Sequence, residues 1–410
     1  MTIIEFFDKT HIENIVSTLL LKPKKVIFIG NNLKMMKRCS ENYFAVAQRH
    51  GIGTEFAFCS VNQNDLSKIV QTLSEIIERE EECVFDLSGG EDLYLVAVGI
   101  LFERYGEKIQ MHRYNINNGR LTDCDSQGDV QFYNNLSVSV EDNIRIYGGK
   151  IIRDSFSENF DDETTVFDDE FKKDIDSMWN ISSQNSRLWN SSVNVVQFFY
   201  SAYGNKNSLS LEIEKTILAS RFNSDKLELL HSLFRQLSRA GLLTAYINDE
   251  EKISITFKNE KIRDVLIKSG QILEYKITSV AQNICESDGT PVYSDVRTGV
   301  FIDWDGVISD GYDVVNEIDV MMTKNLIPVF VSCKNGQLGI DELYKLSLVA
   351  ERFGGKYAKK VLITSDITRL GRSSEYIRER AKEMKIKLIE NVDLFSEEEL
   401  QKTVKNLYKS

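Results

Sequence analysis

The chain has 410 residues, 42% hydrophobic and 27% charged, with only 3 prolines, a globular composition too long for one core that predicts about two to three domains. A net charge of -12 argues against a protein that coats nucleic acid by broad electrostatic attraction, though not against one that cuts it at a local site. The longest clean apolar run, Leu93 to Phe102, is about half of a membrane span; the N-terminus lacks a signal-peptide pattern, and the 6 cysteines (Cys39, Cys59, Cys83, Cys124, Cys285, Cys333) show no C-x-x-C spacing. The expectation is a cytoplasmic chain with reduced thiols, no zinc site and no membrane partner.

To about residue 145 strands and helices alternate. Lys25 to Gly30 reads as a buried strand that ends in Gly30-Asn31-Asn32, followed by a Lys- and Arg-rich helix and a short strand around Glu55 to Cys59. Leu66, Ile69, Val70, Leu73, Ile76 and Ile77 form one stripe of an amphipathic helix. Cys83 to Leu87 is the next strand, Ser88-Gly89-Gly90 turns into an apolar helix from Glu91 or Asp92 to about Tyr105, and Lys108 to Asn115 is another strand. This βαβ alternation predicts a parallel, Rossmann-like sheet over residues 1–148. Gly30, Asn31, Asn32, Ser88, Gly89, Gly90, Glu91 and Asp92 all fall where strands pass into helices, the place where such sheets bind nucleotides; glycines there let backbone N–H groups approach phosphate. The spacing is not that of a dinucleotide fingerprint, and there is no P-loop.

Residues 149–183 carry Asp154, Glu158, Asp161, Asp162, Glu163, Asp168, Asp169 and Glu170 and read as an acidic linker or solvated helix. From 184 to 258 helices are expected at Val193–Tyr203, Leu209–Ser220 and Asp225–Ala240, the last closed by Gly241. The strands Leu243–Ile247 and Ile253–Phe257 follow across a polar turn. Three helices and a hairpin spell a winged helix-turn-helix. Its third helix carries Lys226, Arg235 and Arg239 offset by Asp225 and Glu228, so a spacing or dimerising role is preferred to DNA reading.

Residues 259–410 read as helix (Ile262 to Asn283), strand (Thr298 to Asp303), a hairpin of Val315–Val320 and Pro328–Lys334, helix (Ile340 to Phe353), strand (Lys360 to Thr364), helix (Ser374 to Met384) and strand (Ile386 to Glu390). In the hairpin, alternation puts Glu317 and Asp319 on one strand face and Ser332 and Lys334 on a face of the neighbour. Two anions, a hydroxyl and an ammonium gathered at one spot can hold a divalent metal, Mn or Mg, and a water beside a phosphodiester. Glu274, on the helix upstream, is a further candidate ligand. The element order matches the restriction-endonuclease core, whose signature is PD-(D/E)xK, with Asp319 as the first acid and Lys334 as the lysine that polarises the attacking water. Ser332 stands where that pattern expects an acid.

Two other readings compete. Ile302-Asp303-Trp304-Asp305-Gly306 resembles the first motif of haloacid-dehalogenase-like phosphatases, with Asp303 as nucleophile and Asp305 as acid/base; it requires Val314 to Met322 to be helical and lacks a late acidic pair, since position 370 is Leu370 after Asp366. A ligand-responsive regulator, sensor plus winged helix without cleavage, would leave the C-terminal carboxylates idle. The histidines His11, His50, His112 and His231 are too dispersed for a metal site, and Cys333 has no histidine placed to activate it.

The three-part order resembles the CRISPR-associated ancillary nucleases that carry a CARF sensor domain, a winged-helix segment and a PD-(D/E)xK-like nuclease domain. The resemblance covers nearly the whole chain. It rests on Asn316 to Asp319, on Ser332-Cys333-Lys334-Asn335-Gly336 and Glu342-Leu343, on Ala350 to Lys356, and on Asp86-Leu87-Ser88-Gly89-Gly90 as the sensor's ligand loop. It implies an α/β homodimer that binds a cyclic oligoadenylate, most often cyclic tetra-adenylate, across paired sensor domains. Binding would activate metal-dependent cleavage of DNA or RNA by the restriction-endonuclease-like domain.

Overall fold

The computed structural model describes residues 1–124, 130–133, 136–153, 167–205, 208–267, 271–307, 315–335, 338–365 and 373–409. The first module alternates β1 (Thr2–Phe6), α1 (Glu13–Leu21), β2 (Lys25–Gly30), α2 (Leu33–Arg49), β3 (Glu55–Ser60), α3 (Leu66–Arg79), β4 (Cys83–Asp86), α4 (Asp92–Tyr105) and β5 (Ile109–Asn115). These strands are parallel, and β6 (Arg120–Asp123) and β7 (Val130–Phe132) extend the sheet antiparallel in the order β3-β2-β1-β4-β5-β6-β7. Because the crossover helices lie on both faces, the inner strands are apolar on both sides: Ile4, Ile27 and Phe85 pack under α3 and α4, while Ile3, Val26 and Phe28 pack with α1 and α2. β1 occupies the middle of the five parallel strands, and neither it nor α1 was assigned from the sequence; Thr2 to Phe6 is too short to show a period of its own.

α5 (Val140–Ile146), closed at its start by a Ser139–Asp142 capping box, leads into β8 (Lys150–Arg153). Then come α6 (Asp169–Gln184), α7 (Ser186–Tyr203), β9 (Ser210–Glu214), α8 (Lys215–Arg221), α9 (Ser224–Arg239), β10 (Leu243–Asn248) and β11 (Lys252–Phe257). β10, β11 and β9 form a three-stranded antiparallel sheet beside these helices. Two stretches here differ from their sequence reading. The helix expected at Leu209–Ser220 begins as a strand, because Leu211 and Ile213 alternate with Ser210, Glu212 and Glu214 and bury one face in the core while the strand pairs with β11. The stretch read as an acidic linker supplies β8, an edge strand of the C-terminal sheet, and α6. Phe171, Ile175, Met178 and Trp179 give α6 a buried stripe, and its acids sit in the first turn, where the helix dipole favours them. Asp154, Glu158, Asp161, Asp162 and Glu163 lie outside the described residues.

The last module comprises α10 (Glu260–Ile267), α11 (Gln271–Asn283), β12 (Asp295–Asp303), β13 (Val315–Lys324), β14 (Ile327–Lys334), α12 (Ile340–Gly354), β15 (Lys359–Thr364), α13 (Ser373–Glu383), β16 (Ile386–Ile389) and α14 (Glu397–Lys405). The single helix expected from Ile262 to Asn283 is therefore described as two, with residues 268–270 outside the description. The six strands run in the order β16-β15-β14-β13-β12-β8. Parallel pairing holds for β14, β15 and β16 and antiparallel pairing for the rest. One face packs on α11 through Val320, Met322, Val331 and Cys333; the other packs on α12 through Met321, Phe330 and Leu362. The α12 side shares one continuous core with α1, α2 and α5 of the first module, so the sheets of the first and last modules are joined by buried apolar contacts.

The extended β13 overturns the haloacid-dehalogenase-like reading, which needs a helix over Val314 to Met322. Asp303 ends β12, antiparallel to both neighbours and opposite Val315 and Lys150, and is buried. Asp305 spends its carboxylate on the Val307 N–H. Asp366 and Leu370 lie outside the described residues.

Candidate functional site

Two strands that separate create the site. The β13–β14 ladder runs from Lys324↔Ile327 only as far as Val320↔Val331. Beyond that point β13 continues paired with β12 to Val315↔Asp303, while β14 continues paired with β15 to Lys334↔Thr364. Opposite Asp319, Gly299 adopts φ +60, a conformation that disfavours side chains, and Thr298 Oγ1 donates to the Asp319 carbonyl at 3.0 Å. Strand alternation breaks there: Ile318 belongs to the core on α12, Val320 to the core on α11. The Asp319 carboxylate turns into the mouth of the fork.

Inside the fork Asp319 Oδ2 accepts from the Cys333 N–H at 2.7 Å and from Ser332 Oγ at 3.1 Å, and lies 3.6 Å from Lys334 Nζ. Ser332 thus holds the acid in place, which a carboxylate at that position would repel. Lys334 Nζ is also 3.1 Å from Glu342 Oε2, in the first turn of α12. Burial alone would depress the Lys334 ammonium, but Asp319 and Glu342, with a smaller contribution from Glu274, outweigh it and raise its pKa. Lys334 is therefore a fixed cation and a donor, not a general base. Burial, then the charges of Asp319 and Glu274, push the Cys333 thiol well above its ordinary range, so it stays protonated and apolar.

Glu317, Asp319, Ser332, Glu342 and Lys345 line one pocket, floored by Ile318, Phe330, Leu346 and Val349. Glu317 and Asp319 both line this pocket, although the strand alternation expected to put them on one face is broken at Asp319. Glu274 is half-buried on α11 and does not line the pocket; its charge reaches Lys334 and Cys333. Among the described residues no three His, Cys, Asp or Glu converge as a preformed metal cage. The hard carboxylate oxygens of Glu317 and Asp319 nonetheless suit Mg or Mn, which one or two carboxylates hold together with water and substrate phosphate. Glu342 was not picked out as a site residue. Its signal was available: an acid in the first turn of the helix that follows Lys334.

The other candidate residues gather at the C-terminal ends of β1, β2 and β4. Asn32 caps α2 by accepting the Met35 N–H, and exposed Asn31 donates to Gln63 Oε1 at 2.6 Å. Ser88 Oγ accepts the Tyr114 N–H at 2.8 Å. Gly90 has φ +103, its N–H points to Asp8 Oδ2 at 3.3 Å, and a Cβ there would stand 2.6 Å from that of Phe6; only glycine fits. Gly30 closes β2, Gly89 packs against Asp8, Glu91 is exposed at the N-cap of α4 and Asp92 opens its first turn. Asp8 and Thr10, bonded to each other in the β1–α1 loop, join this crevice and were missed with β1 itself.

Beneath the crevice lies a buried acid pair. Glu5 on β1 faces Asp86 on β4 in register. Asp86 accepts from Ser17 Oγ and from the Ser88 N–H at 2.8 Å, and His112 Nε2 stands 3.7 Å away. Burial favours the neutral acid, yet the His112, Ser17 and Ser88 interactions outweigh it and hold Asp86 below the usual carboxylate range. Burial, reinforced by Asp86 and then Glu13 and Asp8, drives Glu5 well above that range. Glu5 is thus the neutral partner of an ionised Asp86. Because its folded pKa exceeds the unfolded one, Glu5 lowers stability as pH rises above the ordinary Glu value. Glu5→Gln is therefore expected to gain stability over the parent at about pH 8 and not at about pH 4, read by thermal melts at both values.

No protein-family profile and no curated protein sequence matches the chain. Solved structures do. Protein VC1899 from Vibrio cholerae aligns over 100% of this chain and 98% of its own, at 19% identity and TM-score 0.76. Can2 from Sulfobacillus thermosulfidooxidans, in complex with cyclic tetra-adenylate, aligns over 100% of this chain and 97% of its own, at 14% identity and TM-score 0.67. The chain has the fold of Can2. The resemblance to CARF-domain ancillary nucleases is met at the level of the fold.

Within this Can2 fold α12 runs from the pocket to the first module. Its first turn carries Glu342. Its far end meets the first module: Arg352 donates to the carbonyls of Tyr147 and Trp304, Asn143 Nδ2 donates to the Phe353 carbonyl, and just beyond the helix Lys356 Nζ and Tyr357 Oη reach the buried Glu13 at 2.9 and 2.7 Å. Glu13 opens α1, directly after the crevice loop. Among the described residues no helix is long and apolar enough to cross a membrane.

Proposed function

We propose that the protein is an ancillary endonuclease of type III CRISPR defence, switched on by a cyclic oligoadenylate and hydrolysing DNA or RNA phosphodiesters with Mg or Mn. The observation that carries the reading is the forked pair β13–β14, which seats Ser332 within hydrogen-bonding and Lys334 within ion-pairing reach of Asp319. Asp319 and Glu317 would hold the divalent ion, with Glu274 as an outlying acid, and the ion would neutralise charge that builds on the phosphate. Lys334, kept cationic by Asp319 and Glu342, orients and polarises the attacking water and donates to the phosphoryl oxygen. Phe330, Leu346 and Val349 exclude bulk water from the pocket floor, which strengthens both effects.

The crevice above β1, β2 and β4 would take the activator. Can2 is solved with cyclic tetra-adenylate, and a two-fold ring suits an isologous homodimer that buries it between paired crevices. Residues 186–257 follow the helix, strand, helix, helix, hairpin order of a winged helix-turn-helix, here as a spacer between sensor and nuclease. The test incubates plasmid, single-stranded DNA and single-stranded RNA with Mn, with and without cyclic tetra-adenylate; absence of ring-dependent cleavage on every substrate defeats the proposal. Binding of duplex without cutting would instead support a regulator.

Two outcomes are expected for the switch. Asn31→Ala should raise the cyclic tetra-adenylate concentration needed for half-maximal cleavage by about 10-fold while melting as the parent does, since Asn31 is exposed and its side chain, among the described residues, bonds only Gln63. Lys356→Ala with Tyr357→Phe should cut the ring-induced rise in rate about 5-fold or more and leave ring affinity, measured by calorimetry in EDTA, within about twofold of the parent. Full activation of that variant would remove α12 as the link between sites.

A further inference from the structure

We infer that the exposed edge of α12 and α13 beside the nuclease pocket is a base-stacking platform that seats single-stranded nucleic acid; this rests on the nuclease reading above. Tyr344 and Tyr376 are exposed to 48% and 53%, and Leu348, one turn beyond Tyr344, to 58%. Arg380 joins the rings: its guanidinium carbon lies 6.0 Å from the Tyr344 centroid and 5.9 Å from that of Tyr376. Its in-plane edge is engaged, through an ion pair with Glu383 at 2.8 Å and a 3.5 Å contact to Tyr376 Oη, while its buried Nε–H meets no acceptor among the described residues. Tyr344 directly precedes Lys345, which lines the pocket with Glu317, Asp319 and Glu342. The platform and the cutting site therefore adjoin on one helix.

The physical need is specific. A chain of net charge -12 gains little affinity for a polyanion by broad attraction, and the pocket adds three acids of its own. Base–aromatic stacking needs no net positive charge and tolerates any sequence. Two half-exposed rings bridged by a planar guanidinium offer π surface for unpaired bases, and Arg380 and Lys345, each ion-paired with neighbouring acids, can exchange those partners for the intervening phosphates. Stacked duplex presents no free base faces, so the surface discriminates in favour of single strands or unpaired ends.

The test measures anisotropy of a fluorescein-labelled single strand of about 15 nucleotides with the full-length protein in EDTA, with and without cyclic tetra-adenylate. Tyr344→Ala with Tyr376→Ala is expected to weaken binding by roughly 5- to 100-fold, equally at low and high salt, whereas Tyr344→Phe with Tyr376→Phe binds as the parent, since stacking uses the ring and not the hydroxyl. Melting temperatures check that all variants are folded. Equal affinity for parent and alanine variant, in a protein that still cuts single strands with Mn, overturns the platform and leaves the nuclease intact. A parent that neither binds nor cuts single strands overturns both.

Discussion

Asp319→Ala is expected to lower the cleavage rate roughly 100- to 1,000-fold or more, with cyclic tetra-adenylate binding unchanged. The carboxylate is the only group reaching across the fork to the Cys333 N–H, Ser332 Oγ and Lys334 Nζ together among the described residues. Its loss removes an ion ligand and also the anion that fixes Lys334. Lys334→Ala should cost as much by a different route: the acids Asp319 and Glu342 lose the cation between them. Lys334→Arg retains charge but spreads it over a planar fork, so it should not restore the rate. Cleavage of plasmid and single strands with Mn, under single-turnover conditions, reads all three; parental rates in both alanine variants would remove the fork from the chemistry. Because Asp319 and Glu342 raise the Lys334 pKa, its ammonium persists through the ordinary alkaline range, and loss of its proton should not produce a fall in rate there.

Asp86→Ala should destabilise the first module by about 3–5 kcal/mol, the scale for breaking a buried charged network by deleting one member. Asp86 is fully buried and takes the Ser17 hydroxyl and the Ser88 N–H, with His112 beside it. Alanine leaves those donors without their acceptor. Asp86→Asn keeps the volume and should retain part of the loss. The pH signs of the two acids are opposite. Asp86, held below its unfolded pKa, contributes stability above the ordinary Asp range and loses it as pH falls through its folded pKa; Glu5, held above, destabilises as pH rises. Chemical denaturation of parent, Asp86→Ala and Asp86→Asn at neutral pH decides the case; parental stability in Asp86→Ala would show the network to be idle.

The parts of the fold legible from sequence were those with a period of their own. The stripe from Leu66 to Ile77, the apolar runs at Lys25–Gly30 and Cys83–Asp86, and the alternation of Ile253 to Phe257 each bury a face that the local chain already marks. The nearness of Asp319 to Ser332 and Lys334 was legible in part, because one hairpin joins the two strands. Leu209–Ser220 misled because a short alternating strand runs straight into a helix. α6 misled because its acids mask a buried stripe of Phe171, Ile175, Met178 and Trp179.

The sequence by itself determined which residues are apolar, where turns must fall, and that acids and a lysine lie close along the chain near the C-terminus. It did not carry the middle position of β1, the addition of β8 to a sheet formed by residues more than a hundred positions away, the contact of Glu13 with Lys356 and Tyr357, or the arrival of Glu342 at Lys334. Those depend on which buried faces find one another, and long-range pairing is selected by the free energy of the whole packed core rather than by any local window. The direction of Asp319 was tertiary too: it turns into the fork because β14 leaves β13 to pair with β15, freeing the Cys333 N–H for a carboxylate.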